Sequence, residues 1–232
     1  MKQNFENKID TQKEQLKFFE NPEFEKRVEK FYSDAFPYHN FGHAKESMND
    51  GRIIVANCRK EGISIDDKVV YYADFLHDAG WHENHKEKGF SCKEEYSAHL
   101  AGEILKKFGE DEETISRVQS AIWATHRDRQ FVTNEEKAVR AADLAGIAKD
   151  YETFLTNAVK LKLETEMLSG QNITWKEWQS RVKKIVEFYL NQDIKLTSAH
   201  DDENGESVWH KKVRENLEKF LREDDKAVKQ AA

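Results

Sequence analysis

The chain has 232 residues, 38% hydrophobic and 35% charged, with only 2 Pro and 10 Gly; it is long enough for one well-buried domain and too poor in turn formers for a typical β fold. A formal net charge of −7 offers no basic face of the kind that displaces counterions from duplex nucleic acid, and it disfavours docking on an anionic membrane. Two cysteines, Cys58 and Cys92, make no disulfide framework and fit no zinc spacing. The segment MKQNFENKID is too polar for a secretory signal, and no apolar run nears the ~20 residues of a membrane span, so a soluble protein with reduced thiols in the cytoplasm is expected.

A first helix is expected over 4–20, and Asn21-Pro22 starts a second, with Pro22 at an early position where proline is tolerated. The segment FPYHNFGH, 36–43, breaks the pattern and leads into a third helix that runs towards Lys60. Asp66 caps a fourth, VVYYADFLHD. From Gly80 to Cys92 the sequence has no period and reads as a loop. Helices follow over 93–108, 111–127, 134–149, 151–168, 173–191 and 206–222, with DDENG (201–205) as a mobile connection before the last. Nothing alternates for long enough to demand a sheet, so the expected fold is all-α.

The chemistry-bearing residues stand on the apolar faces of these helices. His77 follows Val69, Ala73 and Leu76. His126 continues the line Ile115, Gln119, Ile122, and Asp143 stands among Val139, Ala142 and Gly146. A carboxylate on such a face is costly unless paired or bound to a cation, and imidazole plus carboxylate suits a divalent transition ion. Neighbours on a helix point about 100° apart, so His77 and Asp78 converge on one ion only at a helix end, and Gly80 marks such an end.

The order His43, His77-Asp78, Asp143, with gaps of 34 and 65 residues, resembles the H…HD…D ligand set of the HD superfamily. YHNFGH (38–43), FLHDAGW (75–81), KEEYSA (93–98), IWATH (122–126) and AADLAGIA (141–148) resemble segments of its predicted metal-dependent phosphohydrolases. The resemblance covers about residues 28–168. It implies an HD-domain helical bundle there, preceded by an N-terminal helical extension (1–27) and followed by additional C-terminal helices (169–232). His82 stands where that subfamily has Asp, and Lys93 where it has Asn.

By this resemblance the metal ligands are His43, His77, Asp78 and Asp143. The ion is divalent (Mn, Co, Ni, Fe or Zn, with Mg admitted), and the substrate is a small phosphorylated molecule, a nucleotide by preference. Candidates for proton transfer are His82, Glu83 and Glu94, the last equally readable as part of a solvated first helical turn. His126 and His99 are candidates for a second metal or for lining the site, against hydrogen-bonded core or surface roles. Arg127, Arg129 and Arg140 offer forks for phosphate oxygens, against surface ion pairs. His39 and Asn40 either orient His43 or form a capping turn. Trp175, Trp178, Phe188 and Tyr189 read as the packing face of a C-terminal helix. Two rivals stand beside the hydrolase: an HD-fold di-iron oxygenase, which needs His126 and a further histidine, and a non-catalytic nucleotide-binding regulator.

Overall fold

The computed structural model describes residues 17–224. Among them are nine α-helices and no strand: α1 Pro22–Val28, α2 Phe41–Lys60, α3 Asp67–Leu76, α4 Lys93–Lys107, α5 Glu112–Trp123, α6 Asn134–Asp143, α7 Tyr151–Ser169, α8 Trp175–Leu190 and α9 Val208–Arg222. The all-helical expectation holds. The helix expected over 4–20 falls mostly outside the described residues, and its last four, 17–20, are not helical.

Local signals set most boundaries. Asn40, Asp66, Asp111 and Asp150 cap α2, α3, α5 and α7 through side-chain oxygens. Thr133–Glu136 and Thr174–Glu177 form reciprocal capping boxes on α6 and α8. Two helices end earlier than their periodicity suggests. The 111–127 segment stops at Trp123, where the Thr125 hydroxyl donates to Ile122 O at 2.7 Å and turns the chain out, so His126 leaves the stripe assigned to it. The 134–149 segment breaks after Asp143 into a 3₁₀ turn, Ala145–Ala148, the tighter winding common at helix ends.

Helix α3 is the axis of the first core. Every residue from Val69 to Leu76 is buried, as expected of a helix surrounded on all sides. It packs against α2, α5 and α6, and more lightly against α1 and α4. Phe24 of α1 lies 4.7 Å from Tyr72 and 5.2 Å from Phe108, ring centre to ring centre. Each such buried ring contributes roughly 1.5–3 kcal/mol of burial energy. A second core joins α7, α8 and α9 around Phe154, Trp175, Trp178 and Phe220. Of the four aromatics expected to pack α8, Trp175 and Trp178 do so. Phe188 is exposed, and Tyr189 instead lies under the Arg140 guanidinium at 5.5 Å. No helix among the described residues is long and apolar enough to cross a membrane.

Candidate metal centre

Helix α3 closes at Leu76 with His77 as its C-cap. The chain then turns tightly, Ala79 N donating to Leu76 O and Trp81 N to Asp78 O. Gly80, at φ 75°, supplies a left-handed residue that only glycine adopts without strain. A side chain there would also meet the Leu100 and Tyr96 side chains at 2.6 and 2.7 Å. This turn points the imidazole of His77 and the carboxylate of Asp78 the same way. His43 comes from the first turn of α2 and Asp143 from the last residue of α6.

The four meet. His77 Nε2 lies 3.0 Å from Asp78 Oδ2 and 3.6 Å from Asp143 Oδ1, and His43 Nε2 lies 3.3 Å from Asp143 Oδ1 and 3.6 Å from Asp78 Oδ2. Donor atoms of His43, His77 and Asp143 all lie within 4.8 Å of one another. His77 is 2% exposed, Asp78 5% and His43 9%, so solvent solvates these three poorly, while the Asp143 side chain, 22% exposed, keeps one side of the set open. Burial raises the Asp143 and Asp78 carboxyls, but the imidazoles of His43 and His77 more than reverse this, and both end below the usual carboxylate range. Burial lowers the His77 imidazole, and the two carboxylates override it to leave it well above the ordinary value.

These residues fit a divalent cation on two observations. His77 Nε2 and Asp78 Oδ2 are buried with no hydrogen-bond partner, an expensive condition that a shared cation relieves. His77 Nδ1 donates to Asp74 O at 2.8 Å, which leaves the Nε2 lone pair free to ligate and holds the ring in place.

The surroundings were largely invisible in the sequence. Glu164 of α7, 2% exposed, accepts from Tyr38 N at 3.2 Å, His39 N at 3.0 Å, the Trp81 indole N–H at 3.0 Å and His39 Nδ1. It thereby ties α7 to the two turns that precede His43 and follow Asp78. His39 is stacked on Trp81 at 3.8 Å, and its charge acts on Asp78. It is bonded to Glu164, not to His43. Asn40 is a cap, accepting from Gly42 N and His43 N at 2.9 and 3.3 Å. Lys93 donates to the carbonyls of Trp81 and Glu83 and pins the loop. Ser97 lies beneath, donating to Ala79 O at 2.8 Å.

Several other candidates are not brought to the four. His82 is exposed, edge-on to Phe36. Glu83 is held by Lys88 at 2.6 Å and Tyr96 at 3.0 Å. His99 is half exposed and faces Glu103. Arg127 and Arg129 line a separate surface cavity of about 560 Å³ with Lys137 and Gln192, and Arg129 lies over Trp123 at 4.4 Å. Arg140 is fully buried. Its Nε and Nη2 donate to Ala124 O at 3.3 and 2.8 Å, and its Nη1 has no partner. Glu94 and His126 meet each other beside Cys92. A further cavity of about 570 Å³, between α2, the 194–201 segment and the start of α9, contains none of the four donors.

Comparison with solved structures places this architecture. The phosphodiesterase domain of the Salpingoeca rosetta rhodopsin phosphodiesterase superposes with a TM-score of 0.55 over 94% of this chain and 82% of that one, at 17% identity. A second structure, the phosphodiesterase domain of the RhoPDE fusion protein from the same choanoflagellate, gives a TM-score of 0.54 at 17% identity over 94% and 84%. The fold is that of phosphodiesterase domains. No family model matches the chain, and no curated protein is significantly similar to it.

Proposed function

We propose that the chain is a metal-dependent phosphohydrolase that cleaves a phosphate ester or phosphoanhydride, with a nucleotide as the expected substrate class. The observation that carries this reading is the convergence of His43, His77, Asp78 and Asp143, from three separate elements, with two of their donor atoms buried and unpartnered. Two imidazoles and two carboxylates form a donor set for Mn, Fe, Co, Ni or Zn. A divalent ion there supplies Lewis acidity towards a phosphoryl oxygen and towards water.

The remaining steps belong to side chains. His39 is the proton donor to the leaving oxygen: its Nδ1 is held by the buried Glu164 carboxylate, which fixes the tautomer and presents Nε2 as the working atom, the division of labour of an acid–base histidine. Trp81 keeps the ring in one plane and shields it on one side. None of the three arginines is assigned a phosphate contact: Arg140 is fully buried on Ala124 O, and Arg127 and Arg129 line the separate surface cavity. The phosphodiesterase domains that share the fold support hydrolysis of a phosphate ester. The oxygenase reading needs a further histidine beside His126, and a His99 that is half exposed and facing Glu103 speaks against it.

The test is elemental analysis of metal-replete protein combined with a phosphate-release screen over mono-, di-, tri- and cyclic nucleotides. His77→Ala and Asp78→Ala are expected to lose the ion at this centre while keeping their helicity. Asp143→Asn is expected to lose turnover with little change in fold. Undiminished metal in both alanine variants, or full turnover in Asp143→Asn, removes the reading.

A further inference from the structure

Outside the four-residue centre, the fold assembles another set of metal-competent side chains. Cys92 is the N-cap of α4, Glu94 lies in its first turn, and His126 lies in the turn after α5. One donor atom from each falls within 4.8 Å of the other two. Tetrahedral zinc, with bonds of about 2.0–2.3 Å, spaces its ligand atoms roughly 3.6 Å apart. The three donors therefore need to close by about an ångström at most, and two of the three sit at or just outside helix ends.

The competing contacts are local. The Cys92 side chain makes no capping hydrogen bond, and its thiol interacts only within its own turn, with Ser91, Glu94 and the Glu95 backbone. The ring of His126 takes part in one weak hydrogen bond, accepting from Asp128 N at 3.4 Å. The other carboxylate of that helical turn, Glu95, is bound to Ser91 N and Oγ at 2.7 and 2.5 Å, which leaves Glu94 as the available one. All three are half-buried, screened from bulk solvent but accessible to an ion. The frame beneath them is firm. Helices α4 and α5 pack side by side, Gln119 donates to Ala98 O at 2.9 Å, and the buried Arg140 holds the carbonyl of Ala124, two residues before His126.

We propose that Cys92, Glu94 and His126 form a second cation site, separate from the His43–His77–Asp78–Asp143 centre, that takes a borderline divalent ion, zinc above all, with solvent as the fourth ligand. The two sites share no residue. They flank one region of the bundle: the charges of Asp143 and Glu94 both act on Tyr189, and those of Asp78 and Glu94 both act on Lys93. A dication at the second site adds positive potential beside the first. Burial pushes the Cys92 thiol up, and the Glu94 carboxylate adds to this against the opposing Glu95 backbone hydrogen bond, so binding displaces a proton.

Cobalt separates the two sites, because only the second holds a thiolate. Titrating the chelated full chain with Co(II) is expected to develop thiolate-to-cobalt charge-transfer absorption. Cys92→Ser should abolish that band and cut bound cobalt by one equivalent, while His77→Ala should lose the other equivalent and keep the band. Glu94→Gln should weaken cobalt binding at this site at least tenfold. Zinc should slow alkylation of Cys92 at least tenfold, read by mass spectrometry against the buried Cys58. No charge-transfer band at saturating cobalt, its persistence in Cys92→Ser, or alkylation indifferent to zinc each overturns the proposal. A band in a protein that binds a single equivalent upholds this site and refutes the four-residue centre instead.

Discussion

Replacing Glu164 with glutamine tests whether α7 completes the catalytic apparatus or merely packs on it. The substitution keeps the volume and removes the charge. Four N–H groups converge on this carboxylate, from Tyr38, His39 (backbone and ring) and Trp81. A hydrogen bond to a charged group contributes about 1.5–3 kcal/mol. A glutamine oxygen satisfies about two of the four donors, and its amide turns N–H towards the others. The expected loss is therefore roughly 3–6 kcal/mol, equivalent to about 6–24 °C in Tm for a chain of this size. The partly buried His39 imidazole also loses its anchor, and general acid catalysis is worth about 10²–10⁴ in rate. We expect kcat to fall about 100-fold or more, with KM and the metal content of the four-residue centre little changed, since Glu164 is not a donor to the ion. His39→Ala should give a similar deficit, and the double variant should be no worse than His39→Ala alone, because the two act as one unit. A nitrophenyl phosphodiester, whose leaving group needs no proton, should be spared in both. If Glu164→Gln retains turnover within threefold on an unactivated substrate, or if the activated ester suffers equally, then His39 is not the proton donor.

The chelated protein should have a stability plateau bounded on both sides. Asp143 and Asp78 have depressed native values, so their contribution is complete above the unfolded value of about 3.9 and disappears as pH falls through the native ones. His77 has a raised native value; its contribution is complete below the unfolded value of about 6.5 and is lost as pH rises beyond it through the raised native one. Thermal unfolding across pH should show both edges, and loading with metal should remove the alkaline one; stability that rises steadily with pH in the chelated protein contradicts the paired charges. Gly51→Ala should destabilise the α2–α3 contact by about 1–3 kcal/mol, since its Cβ would lie 2.0 Å from Oδ2 of the buried Asp74. An unchanged urea midpoint would show that Asp74 moves aside freely.

Much of this molecule was legible residue by residue. The helix cap at Asp66, the scarcity of glycine and proline, and the uniformly apolar α3 are local features, and local physics determines them. The convergence of His77 and Asp78 was also readable, because Gly80 marks a helix end where neighbouring side chains point the same way. Glu164 was not readable: it is 125 positions from His39, one glutamate among many on a charged helix, and nothing in its neighbours distinguishes it. The same holds for Trp81, and for Cys92 with Glu94 and His126, which fit no spacing rule because they come from two different helix ends. His126 was misplaced on a helical stripe because periodicity does not register a helix that stops when its carbonyls find other partners, here Thr125 and Arg140. Patterns along the chain encode what each segment does by itself. Which segments meet depends on how helices dock, and that is decided by burial and by hydrogen bonds that exist only once the bundle has closed.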